Sequence, residues 1–196
     1  MSIRPVTELR HATPTLEGAG VKLHRAFGFH NPKELDPFLL FDDFRNERPE
    51  DFIKGFPWHP HRGIETITYV LSGTVTHGDS LGNSGTLGAG SVQWMTAGSG
   101  IMHQEMPQGN ETGQMHGFQL WGNLPGSLKM TAPRYQDIAG TELPEIIDDD
   151  GTKVKVIIGD YRGYKSPVDG IAADPQYLDI FVPAGVKKTF KFDTYR

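Results

Sequence analysis

The sequence predicts an all-β protein: a complete jelly-roll barrel in the N-terminal part, followed by a partial second β unit. Two observations carry this. Short segments alternate apolar and polar residues with the period of two that a half-buried strand requires. Glycine (24) and proline (14) punctuate these segments at near-regular intervals. That is the spacing of hairpin-type connections in a sandwich or barrel.

In chain order, VKLHRAFGF (Val21–Phe29) alternates well and PFLLFDDF (Pro37–Phe44) has a buried apolar centre. Next come IETITYVLSG (Ile64–Gly73), TVTHGD (Thr74–Asp79), GTLGAGSVQWMTAG (Gly85–Gly98), GIMHQEMP (Gly100–Pro107) and MHGFQLWGNLP (Met115–Pro125). The turn signals SGT, DSLGNSG, AGSG and PQGNETG separate them. Pro125–Arg134 is the best helix or linker segment. A domain boundary is expected at Pro133–Gly140, giving an N-terminal domain over 1–133 and a second unit over 134–196. That unit offers ELPEIID, TKVKVIIGDY and YLDIFVPAGVKKTFKF as strands. A closed barrel of about 8 strands of 5–6 residues needs more chain than this.

Composition excludes several classes. The net charge of -5 and the scattered basic residues argue against direct nucleic-acid binding through bulk positive charge. No stretch approaches the roughly 18 apolar residues of a membrane span. MSIRPVTELRHATPTLEG has no apolar signal-peptide core, so a cytoplasmic location is expected. The absence of cysteine removes disulfides and thiolate metal sites.

The chemistry concentrates in two pairs. His59 and His61 are separated by one proline, and His103 and Glu105 by one glutamine. Residues i and i+2 of a strand point to one face, so each pair presents two ligand atoms side by side. Two hairpins are expected to bring the pairs face to face across a barrel. Three imidazoles and a carboxylate suit Fe, Mn, Ni, Cu or Zn, with open positions in an octahedral ion. Either pair alone is a weak signal in a chain of eight histidines. Both together, at strand spacing beside Gly/Pro turns, point to a metal.

Carrying the parity of His59 and His61 onward gives Glu65, Ile67, Tyr69 and Leu71 as one inward face. Glu65 is therefore an alternative ligand or a group that orients an imidazole. His77, beside GDSLGNSG, reads as a solvated turn residue, and His116 as a core histidine sharing parity with Phe118 and Leu120. The run Asp148–Asp150 reads as a solvated turn.

HPHRGIETITYVLSGTVTHGDSLGN and GSVQWMTAGSGIMHQEMP resemble the pirin family, within the cupin superfamily. KLHRAFG, DPFLLFDDF and GFQLWGNLP are also similar to pirin segments. The likeness is strong from Val21 to Gly126 and looser beyond. It implies a bicupin: a complete N-terminal cupin barrel that carries the metal, then a second cupin barrel, only partial here. Pirin chains run well beyond this length, so the resemblance implies a chain truncated at KFDTYR, with exposed strands that favour homo-oligomers.

The ligands implied are His59, His61, His103 and Glu105, with Glu65 left inside the barrel. Fe(II) is the metal implied; Zn, Ni, Mn, Cu and Co are alternatives. The activity implied is a quercetin 2,3-dioxygenase type, acting on a flavonol-like aromatic substrate and O2. Glu105 is the expected catalytic base for the substrate's 3-hydroxyl, and Trp94, Met102 and Phe118 are expected pocket walls. The alternative is a non-enzymatic regulatory protein of the transcriptional co-regulator type, in which a redox-sensitive iron controls binding of a protein partner.

Overall fold

The computed structural model describes residues 3–30 and 33–192. Its strands are β1 (Thr13–Glu17), β2 (Val21–Phe27), β3 (Phe38–Asp43), β4 (Phe56–His61), β5 (Ile64–Ser72), β6 (Thr74–Asp79), β7 (Ser84–Leu87), β8 (Val92–Thr96), β9 (Ile101–Gln108) and β10 (His116–Asn123). There follow β11 (Arg134–Ile138), β12 (Glu145–Ile147), β13 (Lys153–Ile158), β14 (Asp160–Tyr161), β15 (Tyr164–Lys165) and β16 (Tyr177–Phe181). Among the described residues no helix is long and apolar enough to cross a membrane.

A seven-stranded antiparallel sheet runs β1-β2-β3-β10-β5-β8-β11, and a four-stranded sheet runs β4-β9-β6-β7. From β4 to β6, and again from β7 to β10, each successive strand changes sheet. That is the jelly-roll connection the turn spacing predicts. The β-branched run in β5 suits a strand that packs on both sides. Gly73, with φ +79, turns the chain from β5 into β6. A Cβ there would meet the backbone carbonyl of Gln108, so only glycine lets the two sheets close at this corner.

Two apolar layers hold the assembly. Inside the barrel, Val21, Leu23 and Val70 of the large sheet meet Val75 and Leu87 of the small one, with Phe52 and Met115 filling the end. On the outer face of the large sheet, Ile67, Tyr69, Trp94 and Leu120 pack against Leu143, Ile157 and Ile158 of the second unit. Each such side chain contributes about 1.5–3 kcal/mol when fully removed from water. The Tyr69 hydroxyl also donates to Asp179 Oδ2 at 2.7 Å, tying β5 to β16.

The second unit is a three-stranded sheet, β12-β13-β16, with the β14-β15 ribbon beside it. It differs from expectation in detail. The last strand ends at Phe181, and residues 182–192 form no strand; positions 193–196 lie outside the described residues. Pro125–Arg134 contains one short 3-10 turn, Gly126–Leu128. β11, just past residue 133, pairs with β8 as the edge of the large sheet. Asp148 is buried, not solvated: Arg162 and Lys188 approach its carboxylate at 2.8 and 2.6 Å.

Gly117 shows how tightly the central strands fit. A Cβ there would run into the Phe44 ring and the Tyr69 carbonyl oxygen. Gly117→Ala is expected to lower stability by about 2 kcal/mol through overpacking between β3, β10 and β5. Urea denaturation measures it; an unchanged midpoint would contradict this packing.

Candidate metal centre

β4 and β9 are neighbours in the small sheet, and their register sets His59 opposite His103 and His61 opposite Ile101. The two pairs thus stand side by side on adjacent strands, not face to face across the barrel as the sequence suggested. The period-two rule still holds within each strand. His59 and His61 share one face of β4, and His103 and Glu105 share one face of β9.

One nitrogen from each of His59, His61 and His103 lies within 4.8 Å of the others. Ring centroids are 4.8 Å apart for His59–His61, 4.4 Å for His59–His103 and 4.9 Å for His61–His103. The Nε2 atoms of His59 and His61 are 3.1 Å apart. Two imidazole nitrogens bound at about 2.0–2.1 Å to one ion stand at comparable separations.

His59 Nδ1 lies 2.8 Å from the Pro57 carbonyl oxygen. A carbonyl only accepts, so Nδ1 carries the proton and Nε2 keeps its lone pair towards the cluster. His103 is 1% exposed, and neither of its ring nitrogens has a hydrogen-bond partner. An imidazole buried this way is costly unless something else meets it. A transition metal shared with His59 and His61 would do so, and the all-nitrogen triad fits one.

The electrostatics keep His61 and His103 neutral. Burial lowers His61 to about 4; His103 and His59 add to the effect, and Glu105 opposes it. Burial lowers His103 to about 3, with His59 and His77 adding and Asp79 opposing. Neutral imidazoles are the form a metal binds.

Glu105 stands beside the triad, outside the 4.8 Å cluster. It sits opposite Phe56, where the β4–β9 register shifts between Phe56 and His59. Its carboxylate is buried and lies 2.9 Å from the Thr68 hydroxyl on the opposite sheet.

Glu105, His59 and His61 border one cavity of about 570 Å³, a size suited to a small aromatic molecule. Phe44, Phe56, Trp58 and Trp121 give it aromatic walls. Trp121 meets His61 edge-on at 4.9 Å between centroids. On the β2–β3 side, Arg25 and Asp42 line the same cavity. They are joined by two hydrogen bonds of 2.8 and 2.7 Å.

Several expectations are corrected here. The chain turns at Arg62–Gly63 between β4 and β5, which lie in different sheets, so the histidine parity does not carry into β5. Glu65 pairs with Thr96 in register and accepts its hydroxyl at 2.7 Å. It shares a face with Ile67 and Tyr69, away from the triad. Trp94 and Phe118 face the second unit, and Met102 is largely exposed; none of the three lines the cavity. His77 is buried on β6, opposite Glu105 in register. Its ring stacks on Tyr135 at 5.7 Å, and its Nε2 lies 3.2 Å from Asp137 Oδ2. Sequence reasoning also missed Thr68, Gln119 and Trp121. Each alternates inward on its strand, but only the folded pairing shows that Thr68 meets Gln119 and that Trp121 meets His61.

The chain is similar to known proteins over most of its length. A family model described as Pirin matches residues 20–122. A pirin-like protein of Caulobacter vibrioides is 47% identical over 94% of this chain and 67% of its own length. The crystal structure of a quercetin 2,3-dioxygenase from Acinetobacter baumannii superposes with a TM-score of 0.73 at 36% identity, covering 82% of this chain and 58% of that one. A bacterial pirin from Escherichia coli in complex with nickel(II) gives a TM-score of 0.52 at 26% identity, covering 75% of this chain and 67% of that one. The chain spans from 49% to 67% of the length of the curated relatives it matches.

The lowered histidines make the metal-free protein acid-sensitive. An unfolded histidine binds its proton near pH 6.5, whereas folded His61 does so only at about 4. Between those values the unfolded state holds more protons. Stability is fully present above about pH 6.5 and is lost as the pH falls towards about 4, by on the order of 3 kcal/mol for His61 alone. Urea unfolding of metal-free protein across this window is expected to show that slope, and His61→Asn to flatten it. A slope the substitution leaves unchanged would overturn the assignment.

Proposed function

The chain belongs to the pirin family, and from that membership and the site's geometry we propose that it is a metal-dependent dioxygenase of the quercetin 2,3-dioxygenase type. The observation that carries this reading is the convergence of His103 with His59 and His61, which together with Glu105 line an aromatic-walled cavity. The relationship to a quercetin 2,3-dioxygenase structure supports it. The proposed ligands are the three imidazoles and Glu105, and the proposed ion is Fe(II).

When held by His59, His61, His103 and Glu105, the ion would supply Lewis acidity towards the substrate's 3-hydroxyl. The protein does the rest. Trp121 and Phe44 offer flat apolar surface to the rings of a flavonol, excluding water from the reacting end. Glu105 takes the proton of the substrate's 3-hydroxyl as base, since its carboxylate borders the same cavity as His59 and His61. The Pro57 carbonyl keeps His59 in the tautomer that aims Nε2 at the centre.

Metal-loaded protein is expected to consume oxygen and release carbon monoxide with quercetin, and both signals are expected to vanish in His61→Ala. His103→Ala is expected to lose the metal while keeping a cooperative melt, because the two apolar layers do not depend on the ion. Metal binding without oxygen uptake would overturn the enzymatic reading and leave a metal-bearing binding module. Unfolding of His103→Ala would make the ion structural instead.

A further inference from the structure

The inner face of the seven-stranded sheet carries a row of polar side chains in continuous register. Arg25 on β2 pairs with Asp42 on β3, and Asp42 with Gln119 on β10. Gln119 pairs with Thr68 on β5, Thr68 with Gln93 on β8, and Gln93 with Asp137 on β11. Such a row inside a barrel is costly unless it is hydrogen-bonded. It is bonded in three blocks. Arg25 donates twice to Asp42, Thr68 Oγ1 lies 2.8 Å from the Gln119 amide oxygen, and Gln93 Nε2 donates to Asp137 at 2.9 Å.

Two blocks reach the opposite sheet. Asp137 approaches His77, away from the cavity. Thr68 approaches Glu105 Oε1 at 2.9 Å, at the cavity wall. A threonine hydroxyl has one proton, so it cannot donate to both Glu105 and the Gln119 carbonyl. The carboxylate is the stronger acceptor. The proton therefore goes to Glu105, and the Gln119 amide turns its NH2 group to the Thr68 oxygen. The chain then has one direction: Gln119 N–H to Thr68 O–H to the Glu105 carboxylate.

We infer that Thr68, oriented by Gln119, is a positioning residue for Glu105. It holds Oε1, so the carboxylate is presented to the imidazole cluster through Oε2 in one orientation. The inference rests on the metal-site reading above and adds to it the group that orients its fourth ligand. Thr68 acts across the barrel from β5. The metal site is thus assembled from both sheets, although its three histidines all come from the small one.

Cobalt(II) is the probe, bound to the full chain and followed by its visible d–d absorption. Thr68→Val keeps the shape and removes the hydroxyl. It is expected to weaken Co(II) binding about tenfold, the scale on which partners of metal ligands act, and to shift the d–d bands. Thr68→Ser is expected to restore both. Gln119→Leu, which removes the donor to Thr68, is expected to shift the bands in the same direction and serves if Thr68→Val does not fold. Wild-type affinity and spectrum in Thr68→Val, or in Gln119→Leu if that is the variant read, would overturn the inference while leaving the metal site standing. Failure of the wild-type chain to bind Co(II) in a His103-dependent way would remove the metal-site reading itself.

Discussion

Two neighbouring strands of the large sheet, β5 and β8, are buried along almost their whole length, and the rest of the molecule is arranged around that constraint. β5 is buried along most of its length. One face must supply an apolar layer to the second unit, and the other must line a barrel that keeps a polar cavity. The alternation of β5 meets both demands. Ile67 and Tyr69 go outward into the layer with Leu143 and Ile157. Thr68 goes inward to Glu105, with Val70 beside it in the barrel's apolar core. A strand with this division cannot slip by one residue without putting threonines into oil and isoleucine beside a carboxylate.

The same division explains how His61 and His103 can sit in a crowded imidazole cluster without being charged. The apolar barrel core and the aromatic cavity wall desolvate them, and each ring's neighbours disfavour a second positive charge. The folded chain thereby keeps His61 and His103 in the basic form that can accept a metal. The cost is a set of unmet ring nitrogens, most plainly on His103. A protein that holds such groups in place without an internal partner is organised for an external one.

What was legible in the sequence was whatever depends on one strand. The all-β architecture, and the shared strand faces of His59 with His61 and of His103 with Glu105, follow from a period of two and from turn residues. The partners of those pairs were not legible. Glu65 continues the sequence parity of His59 and His61, and nothing local shows that the chain changes sheets at Arg62–Gly63. Trp94 and Phe118 read as walls because a strand buried on both sides carries apolar residues on both. The true wall residue Trp121 differs from Phe118 and Leu120 only in parity. His77 sits next to a glycine-rich turn, and its burial comes from Tyr135 and Asp137, far away in sequence. Non-local pairing decides each of these cases. Spacing singled out His59, His61, His103 and Glu105, and the resemblance to the pirin family implies the same four; the structure brings the three histidines together, with Glu105 outside their cluster.

The bond that sets the His59 tautomer is made by a main-chain oxygen, that of Pro57. No change of side chain at position 57 can delete it. In many metal sites an aspartate or glutamate does this work and can be lost in one mutational step. Here the orientation of one donor is written into the path of the backbone. Substitution of Phe56 or Trp58 can alter the rim of the cavity while leaving that imidazole aimed as it is.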